Sequence, residues 1–468
     1  MKKLLRLVVI LILSVSIIAA FSFTGCKTTT ATTSVAAETT TATTSVAAET
    51  TTATTTAAAE EKQTTQKINM TLLSGGAMPA VKLVSSAFTQ KTGIEVILTG
   101  LENTALREKN FIELKSGSGN FDIVSLDPHW LVDVYNYLEP LDSYVEKDNF
   151  DLSNIFPTYL EMARFPSEYT VHPSDYKRGE GTLYGLPYRV GVYVLHYRKD
   201  LFEQEGIAVP KTLDELREAA KKLTKGGMYG MTIMGEQGPY LIAQFFSILW
   251  SFGGDILTPD MKSSALNSPE AIEAAEYLVN IYKDGYSPPA TPTYNMDSNI
   301  AALQQGLGAM TIDYTARALV LNDPKKSQTA GKWRMAPVPS KSGDSAGVGV
   351  VSGWSAFINK NSKNKEAAWE FIKYLTSEPA QTIMAIEAAN APTLTSVFTN
   401  PDYQKVSPDA LAVLEAAKTG RVQYGIPNIT EIEDIIANEV NAALSGVKTT
   451  KEAMKAADER VNEVLQRK

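Results

Sequence analysis

The residues able to do chemistry in this chain are few. Three histidines occur, His129, His172 and His196, with a single cysteine, Cys26. One cysteine allows no intrachain disulfide and no thiolate cluster for zinc, and its N-terminal position leaves no Cys nucleophile in the folded part. Gly343-Asp344-Ser345-Ala346-Gly347 spells the Gly-x-Ser-x-Gly of a nucleophile elbow. An elbow needs a strand before the serine and a helix after it. Here a polar loop precedes it, the β-like stretch Val348 to Val351 follows, and no His lies beyond His196, so a plain loop is expected. There is no Gly-x-x-x-x-Gly-Lys phosphate loop, and Gly347-Val348-Gly349 has Ser352 where a dinucleotide fingerprint has its third glycine. Asn295-x-Asp297-x-Asn299 lacks the remainder of a calcium loop and reads as a solvated turn. No catalytic residue, metal or cofactor is therefore assigned. Carboxylate pairs are plentiful, so counting alone does not remove a surface glycosidase, a distant alternative.

The elements that must position any site start at Ile68. Ile68 to Leu73 reads as a strand, Ser74-Gly75-Gly76 as a turn, and Pro79 to Thr92 as a helix with Val81, Val84 and Phe88 on one face. Gly93 is its C-terminal stop. Ile94 to Leu98 is the next strand, Leu106 to Leu114 a helix, and Phe121 to Leu126 a third strand. Alternation of this kind implies parallel βαβ units and an α/β sheet covered on both faces. Ligands of such sheets lie at the carboxyl ends of the strands, which makes Ser74, Gly75, Gly76 and the stretch Asp127 to Trp130 candidate site loops. Further on, Thr212 to Glu215 fits a capping box, Ser268-Pro269 an N-cap with Pro at the first helical position, and Lys365 to Leu375 an amphipathic helix. Ile429 to about Leu465 is strongly helical in pattern.

The two ends of the composition bound the compartment. Lys2, Lys3 and Arg6 precede an apolar run from Leu7 to about Phe23, the layout of a signal peptide over 1–25. The run is nearly long enough to span a bilayer, so an uncleaved anchor is the rival reading. Phe23-Thr24-Gly25-Cys26 resembles a bacterial lipobox, with Phe in place of the usual Leu, which implies lipidation of Cys26 and an extracytoplasmic, membrane-anchored protein. Residues 26–67 are a low-complexity tether, with three 11-residue repeats ending at Glu38, Glu49 and Glu60. They hold no large apolar residue except Val35 and Val46 and cannot form a core. A flexible spacer with a reach of roughly 30 Å is expected; a glycosylated Thr-rich stalk, a wall contact or an adhesive segment are the alternatives. Removing the leader, with three basic and no acidic residues, takes the net charge from −8 to −11. So acidic a chain, without a basic cluster, is unsuited to nucleic acid.

From Leu183 onward the blocks become specific. Leu183-Tyr184-Gly185-Leu186-Pro187-Tyr188 leads into Val192 to Phe202; Pro210 to Leu216, Phe252-Gly253-Gly254-Asp255, Gly308 to Thr311 and Ala336 to Pro339 follow. Gly353-Trp354-Ser355-Ala356-Phe357-Ile358 and Ala368 to Thr376 complete the series. In this order they resemble the family-1 extracellular solute-binding proteins of the maltose-binding-protein-like kind, over about 68–468. The resemblance implies a two-lobed, type II-like α/β fold. Each lobe has a mostly parallel sheet flanked by helices, and a multi-segment hinge joins the two. Lobe one is expected at 68–189 plus 348–391, lobe two at 190–347 plus 392–468. It implies capture of a small solute, a mono- or oligosaccharide foremost, and delivery to the transmembrane permease of an ABC importer by a monomer. A polyamine, a sugar-phosphate or another small solute such as a metal chelate in the same fold is the alternative ligand.

A sugar site needs aromatic plates for C–H faces and paired polar groups for hydroxyls. The chain has 20 Tyr and 5 Trp to draw on. The resemblance assigns Asp127 and Trp130 as a carboxylate and a stacking ring of lobe one, Asp313 and Tyr314 as cleft residues after a lobe-two strand, Trp354 as the start of the return strand, and Tyr424 as a late aromatic. Arg189 falls near the first crossing and either serves the ligand or pairs with an acid across the hinge. Trp130 and Trp250 read equally as core, and Asp255 as a turn cap. Trp333, Trp369 and His196 read as packing residues.

Overall fold

The computed structural model describes residues 66–170 and 177–467. The leader, Cys26, most of the tether and His172 lie outside the described residues.

Strand β1 (Lys67–Leu73) carries Ile68, Met70 and Leu72 buried on one face and Thr71 buried on the other, as a central strand must. It pairs in parallel with β2 (Glu95–Leu101) and with β3 (Ile123–Leu126). Helix α1 (Ala77–Thr92) buries Val81, Val84 and Phe88 and ends on Gly93, whose φ of 76° needs a residue without a Cβ. Helix α2 (Asn103–Ser116) returns the chain to β3, and α3 (Pro128–Val134) starts directly beyond it.

The 14-residue strand β4 (Gly185–Arg198) joins the two halves of the molecule. Its first part, Gly185 to Val192, runs antiparallel to β7 (Val350–Ile358), which in turn runs antiparallel to β3. Its second part lies between β5 (Met310–Tyr314) and β6 (Trp333–Ala336), antiparallel to both. A register shift falls between Pro187 and Arg189, where proline cannot donate to a ladder. The freed carbonyls are satisfied by side chains: Thr393 Oγ1 donates to Pro187 O over 3.1 Å, and Gln381 and Asn390 donate to Tyr188 O over 3.1 and 3.0 Å. A short strand, β8 (Arg421–Val422), pairs in parallel with the start of β7.

Two hydrophobic cores result. One gathers β1, β3, α1 and the first part of β4; the other gathers Leu195, α4 (Leu213–Leu223), α5 (Pro239–Ser251), α6 (Pro269–Lys283) and the C-terminal helices. Helix α7 (Lys365–Leu375) packs in the first. Leu394, Phe398 and Val422 also belong to the first core, with Val413 and Ala417 of α8 (Ala410–Thr419), and the second resumes at Tyr424. The chain therefore changes sides at β8, about thirty residues after the expected 391/392 boundary. Apolar periodicity marked these helices but carried no information on which core they cover. The C-terminal helical stretch is two helices, α9 (Ile429–Leu444) and α10 (Thr450–Leu465), divided at Gly446 and restarted by the Thr449–Glu452 capping box.

Candidate ligand cleft

The strand ends place the expected loops together. Asp127 caps α3, accepting from the His129 backbone N–H over 3.1 Å, and its Oδ1 lies 2.5 Å from His129 Nδ1. Trp130 is buried, with its ring edge-on to Trp354 at 5.4 Å between centroids. Trp354 stands opposite Arg189 across the β4–β7 pair. The guanidinium of Arg189 extends over the turn after β1: a Cβ on Gly76 would sit 2.8 Å from its Nη2. Its Nε is buried without a partner, and among the described residues no carboxylate pairs with it, which gives the alternative of an ion pair across the hinge no support. A Cβ on Gly75 would meet nothing within 4 Å, and the Ser74 hydroxyl donates to Glu102.

Tyr314, at the carboxyl end of β5, packs on Gly191, where a Cβ would meet the ring at 2.5 Å. Its hydroxyl donates to Ser352 O over 3.1 Å, and burial raises its pKa. Asp313 differs from its assignment as a cleft residue. It is fully buried, and its carboxylate accepts from the Tyr314 backbone N–H over 2.6 Å and from Arg317 Nε over 3.2 Å, instead of facing open space. Burial pushes that carboxyl up to about 6 against the opposing pull of Arg317.

Trp250, Asp255 and Tyr424 converge with Arg421, which sequence reasoning passed over. Asp255 Oδ1 caps the Ile256 N–H at 2.7 Å and accepts from Trp250 Nε1 at 3.3 Å. Its Oδ2 takes Arg421 Nη1 at 2.8 Å and the Tyr424 hydroxyl at 2.9 Å. The guanidinium lies 4.8 Å from the Trp250 ring centroid and 5.0 Å from that of Tyr424. Asp255 is thus both turn cap and hub, and these four side chains line an open cavity of about 600 Å³ with Glu168 and Thr419. The spacing Arg421-x-x-Tyr424 was visible in sequence; the convergence on Asp255, more than 160 residues earlier, was not.

Glu433 was also missed, and His129, inside the candidate loop Asp127 to Trp130, was not singled out from it. Glu433, half-buried near the start of α9, accepts from Gln423 Nε2 over 2.9 Å and lies within electrostatic reach of His129 and Asp127. Burial pushes its carboxyl up to about 6. Burial alone would lower the His129 pKa, but Asp127 and Glu433 together carry it to about 9. The Asp127-Pro128 pair, an N-cap followed by proline, does announce a helix start at a strand end. It gives no sign of the acid opposite. Among the described residues no group of three His, Cys, Asp or Glu side chains could hold a metal ion.

Two cores joined through β4 and β8 give the two-lobed architecture of a solute-binding protein. The model of the bacterial extracellular solute-binding protein family matches residues 78–382, well over half of the chain, and the chain belongs to that family. A probable amino-acid ABC transporter periplasmic-binding protein of Sinorhizobium fredii is 27% identical over 86% of this chain and 90% of its own. Among solved structures, maltose-bound MalE3 of T. maritima superposes with a TM-score of 0.71 at 29% identity, covering 85% of this chain and 99% of that one. An ABC transporter solute-binding protein of Agrobacterium radiobacter in complex with ribitol gives 0.71 at 26% identity, with 85% and 98% covered.

Proposed function

We propose that this protein is the substrate-binding component of an ABC importer and that it captures a carbohydrate between its two lobes. The observation that carries the reading is the Trp250–Asp255–Arg421–Tyr424 cluster on its open cavity. Two aromatic side chains packed beside a cation–carboxylate pair offer apolar contact and hydroxyl bonding in one place. Maltose and ribitol in the related structures support the same class. Asp127, Trp130, Arg189, Tyr314, Trp354 and the Ser74–Gly76 turn form the remainder of the site. Asp313 acts by holding Arg317. Cys26 carries the lipid, the Thr-rich repeat is the spacer, and the protein delivers its ligand to the permease as a monomer.

The unpaired Arg189 favours one second reading, a solute bearing a carboxylate, and the name of the S. fredii relative points the same way. Thermal unfolding against maltose, ribitol and a set of amino acids separates the two. A ligand at a hundred times its Kd raises native stability by about 2.7 kcal/mol. A shift with saccharides or polyols supports the carbohydrate reading; a shift with amino acids alone replaces it.

A further inference from the structure

A second cavity stands apart from the Asp255 cluster. It measures about 490 Å³ and shares no lining residue with the cavity beside Trp250 and Tyr424. Part of its wall follows the second-lobe end of the sheet: Leu319, in the short helix Arg317–Leu321 after β5, and Arg334 and Met335 of β6. The remainder includes segments of the first core: Ala385 of the helix Glu378–Glu387, Phe398, and Val413 of α8. Leu319 and Val406, both on this wall, are 51% and 56% exposed. Two large apolar side chains left in water on one cavity offer contact to an apolar body.

Asp409 gives the cavity its polar character. It occupies the N-cap of α8, where an aspartate ordinarily accepts from a backbone N–H of its own first turn. Here no side-chain cap bond forms. Oδ2 accepts instead from the Met335 backbone N–H over 3.1 Å, and Arg334 Nε stays 3.9 Å from Oδ1, beyond hydrogen-bond reach. Arg334 Nη1 is turned to Trp333 O, 3.3 Å away. Oδ1 therefore has no donor among the described residues, although the side chain is only 14% exposed and lines the cavity. A desolvated carboxylate oxygen without a donor is unfavourable, and burial raises the pKa of this carboxyl accordingly. The charged side chains on the wall are Asp409, Asp323 and Arg334, two acids against one base.

We propose that this cavity binds a small organic ammonium ion with an apolar body, a linear or aromatic monoamine. The ammonium donates to Asp409 Oδ1 and balances the excess acid, while the apolar body covers Leu319, Val406 and Val413. A neutral alcohol of the same length supplies the donor without the charge. A carboxylate meets Asp409 and Asp323 as like charges, and the second ammonium of a diamine falls among apolar side chains. The site is separate from the proposed carbohydrate site and does not rest on it.

The test is calorimetric titration of the chain lacking residues 1–25 with hexylamine, hexan-1-ol and hexanoate at pH 7.5. Wild type should bind one hexylamine saturably and the other two at least tenfold more weakly. Asp409→Asn keeps an acceptor for the Met335 N–H but removes the charge. It should weaken hexylamine tenfold or more and leave hexan-1-ol within twofold. Leu319→Ser changes an exposed position, at little cost to the fold, and should weaken hexylamine about threefold or more. Absence of hexylamine binding, equal binding of the alcohol, or tighter binding of hexanoate overturns the proposal. So does hexylamine binding indifferent to both variants. Hexylamine binding that survives Asp409→Asn and is lost in Asp255→Ala also overturns it, by placing the amine at the Asp255 cluster.

Discussion

His196 and Asp313 lie on adjacent strands, both fully buried, and they respond to acid in opposite senses. Burial lowers the His196 pKa to about 4, with Nε2 held 3.2 Å from Tyr314 O. An unfolded histidine takes up its proton near 6.5, the folded one only near 4. The neutral ring therefore stabilises the fold fully above pH 6.5, and this contribution is lost as pH falls through 4, by about 3 kcal/mol. Asp313 is raised instead, so its contribution is present below its unfolded pKa of 3.8 and lost as pH rises through about 6. His196→Asn should flatten the decline in stability between pH 6.5 and 4, measured by urea unfolding at several pH values; an unchanged slope assigns the decline elsewhere. Sequence alone identified His196 as a packing residue because apolar neighbours surround it. Asp313 deceived for a physical reason: Arg317 stands four residues on, across a strand-to-helix turn, and only the fold brings it back onto the carboxylate.

At the scale of elements, β4 controls both the join between lobes and the position of Arg189. A Cβ on Gly353 would fall 2.5 Å from Arg189 O, backbone of a central strand that cannot withdraw. Gly353→Ala should therefore destabilise the protein by about 1–3 kcal/mol in chemical denaturation. Gly76→Ala meets only the flexible tip of Arg189, so stability should change little while ligand affinity falls as the guanidinium is displaced. Equal stability loss in the two variants would contradict this distinction. Helix boundaries were legible because caps are local: Thr212–Glu215, Ser268-Pro269 and Gly93 all act where their spacing places them. Sheet order was not, since β7 enters between β3 and β4 from more than 150 residues away. The 394–422 stretch was misplaced for the same reason: its helices name a face, not a partner.

For the whole molecule, the proposed function gives binding to the folded body and placement to the Thr-rich repeat. Deleting residues 28–60 should leave ligand affinity within twofold of wild type. A larger change would make the repeat part of the site and favour an adhesive or wall-contacting segment. On the proposed function, the cleft takes a carbohydrate through the Asp255 cluster. The most direct test is isothermal titration of the chain lacking residues 1–25 with maltose and ribitol, for wild type and Asp255→Ala. Saturable one-to-one binding of at least one of them is expected, weakened tenfold or more by the substitution, which leaves Arg421 and Tyr424 without their common acceptor. Binding of an amino acid with no response to either probe, or saccharide binding unaffected by Asp255→Ala, would contradict it.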